Sequence, residues 1–432
     1  MSDETRPSRS APVTPPAYRW VVLLFISLAM FGNYYIYDSI SPLADVLKAQ
    51  LGFSDRNIGL LNAIYSIPNV FMVLIGGLII DRVGTKKALF VFAFLCLVGS
   101  VITAAHGSLT VMATGRLVFG LGAESMIVAV NSVVARWFWG KELSFAFGLN
   151  LTLARLGSFA ALNSPWWAKQ LYSNWQGPLL LAAAAGIVCA VGAALYWILE
   201  ANADRKYKLA SAGATEKVDL RKFPRFSLSY WFIVILCVTF YSGIFPFQTF
   251  AVKFFVEAHG VSREAGGFLS SMLTLFAMIC TPLFGLLVDH VGRRALFMMA
   301  GSALLVPVYL MMAYTHITLY LPMAMMGVAF SLIPAVMWPS VAYVVDSSRL
   351  GTAYGLMTMI QNIGLAAFNL IIGQANDFAG ASATNPGGYA LGMWLFSCLG
   401  FVGLLFSYLL RRRETGPEAH GLETIRARGG TM

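Results

Sequence analysis

Charge is scarce in this chain: Asp, Glu, Lys and Arg make up 12% of its 432 residues, against 58% hydrophobic. A soluble domain of this size cannot cover its surface with so few ions, so a water-exposed globular fold is excluded. Histidine is rarer still, with five residues (His106, His259, His290, His316 and His420) scattered near loops. No HExxH or GxSxG motif accompanies them, which removes the usual hydrolase chemistries, and no phosphate-cradling loop is present for nucleotide coupling. The five cysteines, Cys96, Cys189, Cys237, Cys280 and Cys398, each lie inside an apolar run without ligand-like spacing. They read as small core residues, so no disulfide framework, metal site or cofactor is expected. Residues 1–17 are polar and proline-rich and do not form a leader, so the first apolar segment is expected to be retained.

What the chain does have is long apolar runs, nearly end to end. A helix needs roughly 20 apolar residues to cross a bilayer. Spans are predicted near 18–46, 57–80, 86–105, 109–135, 143–169 and 178–199, then near 228–256, 265–288, 295–314, 317–344, 352–376 and 388–410. This is an all-α membrane protein of twelve transmembrane helices. It divides into an N-terminal tail (1–17), a six-helix bundle (18–199), a solvated linker (200–226), a second six-helix bundle (227–411) and a C-terminal tail (412–432).

The formal charge of +10 does not mark a nucleic-acid binder, because the cations gather at helix ends and in the linker and form no basic domain. They sit at the N-terminus, at Arg82, Lys86 and Lys87, at Arg136 and Lys141, through the linker from Arg205 to Arg225, at Arg293 and Arg294, and at Arg411 to Arg413. With twelve alternating helices all of these fall on one face, while loops of the other face hold few cations, notably Lys48, Lys169 and Lys253. The positive-inside rule makes the cation-rich face cytoplasmic, with both termini and the linker there.

The halves share an internal repeat. GLIIDRVGTKK begins at Gly77 and GLLVDHVGRR at Gly285, so Asp81 and Asp289 stand 208 positions apart. Each copy offers a small residue for close helix packing, a carboxylate near a helix end, a glycine turn and then cations. Topology alone explains the cations but not the acids. The pattern resembles the loop signature of the major facilitator superfamily, and RLVFGLG at Arg116 resembles its fourth-helix signature. The resemblance implies that Asp81, Arg82, Asp289, Arg293 and Arg294 act at an inner gate.

Ionisable groups in mid-membrane are costly unless paired or facing water, which makes each a candidate for function. Asp38, Arg116, Glu124 and Arg155 qualify. Glu124 lies 12 residues from Arg136 and Arg155 lies 14 from Lys141, so at 1.5 Å per residue both sit about 18 to 21 Å from the cytoplasmic ends, near the midplane. Two readings follow: an ion pair tying the fourth helix to the fifth, or a carboxylate and a guanidinium that together hold a zwitterion. Midplane siting between repeats favours the ligand reading. Asp38 is read as cavity lining in preference to a proton site, and Arg116 as structural. Tyr34, Tyr65, Asn69, Asn131, Trp338, Gln361 and Asn362 lie within spans and complete the expected cavity. Pro68 and Pro246 are expected to bend the second and seventh helices.

The segment from Phe119 to Ser158, with AIYSIPNV at Ala63, FPF at Phe245, MWPSVAYVV at Met337 and GTAYGLMTMIQNIGLA at Gly351, resembles the lysosomal dipeptide uniporter family of that superfamily. The resemblance implies that Glu124 and Arg155 grip the amino and carboxyl termini of a dipeptide, with Trp338, Gln361 and Asn362 lining the opposite wall. The N-terminal tail has no acidic-dileucine signal, and the outer loops have no N-x-S/T acceptor, since Asn150-Leu151-Thr152 lies inside a span. A monomeric transporter of a bacterial inner membrane is therefore expected, without the glycosylated partner subunit. The alternative is a proton-coupled symporter of a small organic anion such as a sugar acid, with Arg155 on the anion and Glu124 or Asp38 on the proton. A sensor would need a soluble output domain, for which the tails are short.

Overall fold

The computed structural model describes residues 16–138, 142–206, 226–315, 317–346 and 349–424. Twelve long helices carry the fold among them. The first half holds α1 (Pro16–Asp38), α2 (Asp55–Val83), α3 (Thr85–Ala105), α4 (Leu109–Phe138), α5 (Leu143–Leu162) and α6 (Gln176–Lys206). The second holds α7 (Leu228–His259), α8 (Arg263–Val291), α9 (Arg294–Tyr314), α10 (Tyr320–Val344), α11 (Leu350–Phe378) and α12 (Ala390–Glu414). Eleven are long and apolar enough to cross a membrane, and α2 matches them in length with 29 residues. In hydrocarbon the backbone must satisfy itself, and a helix does so within one segment. Where chain ends reach polar surroundings, serines cap the orphan N–H groups: Ser54, Ser227 and Ser262 accept from Asn57, Tyr230 and Ala265 at the starts of α2, α7 and α8.

Packing repeats with the halves. In the first, α1 lies on α5 and α6, α4 on α2 and α3, and α3 on α6; the same pairings recur six helices later. The halves meet along α2 with α11 and α5 with α8. One apolar core (Ile26, Phe119, Val134, Tyr196) belongs to the first half alone. The other fills the second half and continues across the boundary into Leu43, Leu47, Ile58, Leu61 and Met112. These five lie toward the end of the molecule opposite the termini, so the halves share a core at that end only.

Several expectations change. The fifth span ends at Leu162, not near 169, because Pro165 has no N–H to carry the helix on; the chain continues as a short helix, Ser164–Trp167, and a 3-10 turn, Lys169–Ser173. The first span stops at Asp38, and Pro42 lies in the 3-10 turn Ser41–Leu43 before a further helix, Ala44–Leu51. Residues 200–206 extend α6 and are not linker, held by Glu200 and Asp204 against Arg136 and Lys86. Residues 1–15, the linker from 207 to 225, Lys141 and 425–432 lie outside the described residues. Lys253 is no loop cation: it is a wholly buried residue of α7. Pro68 and Pro246 both sit inside unbroken helices. Gly77 and Gly285, expected at close helix contacts, have nothing within 4 Å of where a Cβ would stand.

Candidate functional site

Between the halves lies a cavity of about 490 Å³, within the range of small-molecule sites. Its walls follow from helical spacing. Tyr34 and Tyr37 project from one face of α1; Glu124, Ile127, Val128 and Asn131 from one face of α4; Tyr354, Thr358, Gln361, Asn362 and Leu365 from one face of α11. Asn33, Tyr65, Arg155, Tyr241, Phe245 and Trp338 complete the lining.

Two glycines set the charged side chains in place. A Cβ on Gly120, one turn before Glu124, would stand 2.4 Å from the Tyr65 carbonyl, so only glycine lets α4 come this near α2. A Cβ on Gly157, two residues after Arg155, would stand 2.2 Å from the Phe31 carbonyl and hold α5 away from α1. The Tyr65 hydroxyl donates to Glu124 Oε1 at 3.3 Å. The Arg155 guanidinium lies between two rings, 5.4 Å from the centre of Tyr34 and 5.2 Å from that of Phe330. Its Nε is buried without a hydrogen-bond partner. Among the described residues Glu124 and Arg155 form no ion pair with each other.

The opposite wall is neutral. Trp338 Nε1 donates to the Tyr241 hydroxyl at 2.9 Å, and the Tyr354 hydroxyl donates to the Trp338 carbonyl at 3.0 Å. Tyr241 lies parallel to Phe245 at 5.6 Å. Gln361 accepts the Cys237 thiol at 3.4 Å, and Asn362 donates to the Thr358 carbonyl at 3.0 Å. The cavity's charge thus comes from the first half alone, while both halves supply its aromatic and amide surface.

Eight of the nine residues expected to bind substrate line this cavity. The ninth, Asn69, does not: it is fully buried in α2 with both amide atoms unpartnered. Asp38 is also absent from the main cavity and borders a void of about 10 Å³ with Tyr37, Ser41, Asn62, Phe245, Gln248 and Thr249. Arg116 is buried and binds backbone: Nε and a terminal nitrogen donate to Leu61 O at 3.2 Å and Ile36 O at 3.1 Å, and another reaches Asn62 Oδ1 at 2.8 Å. It ties α4 to α1 and α2. Sequence reasoning missed Tyr37, Tyr241, Tyr354 and Thr358. Helical spacing from Tyr34 and Gln361 was the available signal for Tyr37, Tyr354 and Thr358.

The cavity is closed toward the end opposite the termini by polar contacts that join the halves. Arg263 pairs with Asp45 at 2.6 Å, Lys169 with Glu264 at 2.6 Å, and Lys253 with Asp55 at 2.8 Å. Asp377 accepts the Asp55 and Arg56 N–H groups at 2.8 Å each, where its charge also suits the positive start of α2. Ser41 donates to the Gln248 carbonyl, and Asn62 to Thr249 at 3.2 Å.

The sequence model of the Major Facilitator Superfamily matches residues 26–367 and 247–428. The chain belongs to that superfamily. It is a multi-pass membrane transporter and not an enzyme. It is 33% identical over 418 residues to the human lysosomal dipeptide transporter MFSD1, covering 93% of this chain and 88% of that protein. A hexuronate transporter of Bacillus subtilis is 24% identical, with 83% and 89% covered. The fold is similar to that of a bacterial homologue of the human lysosomal transporter Spinster in an inward-facing, unoccupied conformation, with a TM-score of 0.76, 16% identity, and 92% and 98% of the two chains covered.

At the end with the termini lie the residues assigned to the superfamily's gate motif. Asp289 pairs with Arg294 at 3.0 Å, within one half. Arg294 is buried against Tyr343, 4.4 Å from the ring centre. Arg293 takes a left-handed backbone, φ 48°, and its N–H donates to the Glu423 carbonyl at 3.4 Å. Arg82 is exposed. The side chain of Asp81 lies outside the described residues.

Proposed function

We propose that this transporter moves dipeptides by alternating access as a uniporter, with Glu124 on the peptide ammonium and Arg155 on its carboxylate. One observation carries the reading: two opposite charges line one cavity, unpaired with each other. Charges of this kind inside a membrane protein are costly unless a partner, water or a ligand compensates them. A bidentate guanidinium suits a carboxylate, and a carboxylate suits an ammonium. The MFSD1 relatives carry dipeptide transport in their name, and the similarity spans nearly the whole chain. A sugar acid, the substrate class named for the hexuronate relative, would satisfy Arg155 but bring Glu124 no cation.

The cation-rich face is assigned to the cytoplasm of a bacterial inner membrane, with both termini there. The closed end then faces outside, which makes the described state inward-facing on this assignment, and the transporter acts as a monomer. Transport requires the contacts at the closed end to part as the gate motif closes the other end.

Reconstituted proteoliposomes given labelled dipeptides, sugar acids and single amino acids, with and without a pH gradient, test this. Dipeptide equilibration unaffected by the gradient is expected. Concentrative uptake of sugar acids driven by protons would replace the reading with its alternative.

A further inference from the structure

Among the described residues Arg155 has neither an ion pair nor a hydrogen-bonded Nε to fix its long side chain. An arginine left free carries about 2 kcal/mol of rotamer entropy that a ligand must remove. What holds it here is a pair of aromatic faces, and the two rings differ. Tyr34 lines the cavity and belongs to the first half, as Arg155 does. Phe330 lies on α10 in the other half, is 3% exposed, and contributes nothing to the cavity wall.

Phe330 is itself fixed from behind. It stacks on Phe240 at 6.2 Å and meets Phe245 edge to face at 5.9 Å. Phe245 continues the aromatic chain to Tyr241 and, across the boundary between halves, to Tyr37. A ring in this setting cannot swing away, and its face is turned to the guanidinium, 5.2 Å from the ring centre, where the negative charge of the ring face attracts the cation.

We infer that Phe330 is a positioning residue for substrate recognition: its ring face holds the Arg155 guanidinium aimed into the cavity, ready for the carboxylate end of the ligand. It never touches substrate. Because it stands in the opposite half, it ties carboxylate reading to the position of the second bundle. The inference rests on the proposed role of Arg155, and the ring's contribution is separable from that role.

Binding of alanyl-alanine and of alanyl-alanine amide is measured on the purified full-length protein. The variants are Phe330→Leu, which keeps apolar bulk without a ring face, and 3,4,5-trifluorophenylalanine at position 330, which keeps the shape but drains the face of negative charge. A contact of this class corresponds to about 3- to 30-fold in affinity. The expected result is that loss for the free dipeptide in both forms, with the amide changed less than twofold. A packing defect would weaken both ligands alike, and that outcome overturns the inference, as does full discrimination in the fluorinated protein, which folds as the wild type does. A wild type that binds dipeptide and amide equally would instead overturn the dipeptide reading of Arg155, and the inference with it.

Discussion

Lys253 of α7 and Asp55 at the start of α2 meet at 2.8 Å with 0% and 1% of their side chains exposed, one from each half. Glu257 at 3.3 Å and the Tyr389 hydroxyl at 2.7 Å complete the ammonium's surroundings. Removing one partner of a buried pair leaves a charge without compensation, at about 3 to 5 kcal/mol. The protein can relieve that cost by parting the halves and letting water in. Lys253→Met is therefore expected to favour the state open on the side opposite the termini. A cysteine replacing Gln248, which is 6% exposed, reports it: labelling by an impermeant maleimide from that side should rise at least tenfold (roughly the lower bound of such a shift). Equal labelling with and without Lys253→Met would show that the pair does not govern opening.

Apolar runs announced twelve helices and two halves, because a membrane leaves the chain few alternatives. Glu124 and Arg155 were legible for the same reason: an ion inside an apolar run stands out. Phe330 and Tyr241 were not legible. Nothing separates one aromatic residue from 31 Phe and 17 Tyr until tertiary packing sets it beside a guanidinium. Lys253 was misplaced because local hydropathy near a helix end cannot tell a loop cation from one buried against Asp55 in the other half. The conformational state was equally hidden. Gly77 and Gly285 look like contact glycines in sequence, yet both face open space here.

That open space makes a test of the gate. In the state described, a Cβ at Gly77 or Gly285 would have nothing within 4 Å to strike. If α2 and α8 pack closely there when the termini end closes, the added side chain obstructs closure. Gly77→Leu and Gly285→Leu are expected to fold and bind dipeptide as the wild type does, with exchange slowed by about fivefold or more, as overpacking of 1 to 3 kcal/mol implies. Wild-type exchange rates in both would show that neither glycine meets a partner during transport.

Glu200 is a stability test removed from transport. It is 1% exposed and accepts from Arg136 at 2.5 Å, Trp137 Nε1 at 2.9 Å and the Tyr196 hydroxyl at 2.7 Å. Glu200→Ala leaves Trp137 Nε1 without its acceptor, at about 1 to 3 kcal/mol, while Arg136 keeps Asp204 and the Tyr196 hydroxyl keeps Thr85 Oγ1, each at 3.5 Å. A clear fall in melting temperature is expected, with dipeptide affinity of the folded fraction unchanged. A melting curve matching the wild type would mean that water replaces the carboxylate without penalty.

The charges of the cavity allow the sharpest test of function, because each is assigned a different end of the ligand. Glu124→Gln removes the countercharge for an ammonium, so free dipeptides should bind more weakly while N-acetylated ones are relatively spared. Arg155→Lys keeps the charge but loses the planar fork that grips two oxygens, and transport should fall about tenfold or more. The combined exchange Glu124→Arg with Arg155→Glu separates a ligand pair from a structural bridge. A bridge works in either order, so the double variant would recover both folding and transport. Ligand contacts do not, because Phe330 and Tyr34 flank only position 155 and Tyr65 donates only to position 124. Folding without uptake is the expected result. Uptake of free dipeptide at the wild-type rate in the swapped protein would show that Glu124 and Arg155 do not read the two ends of the peptide.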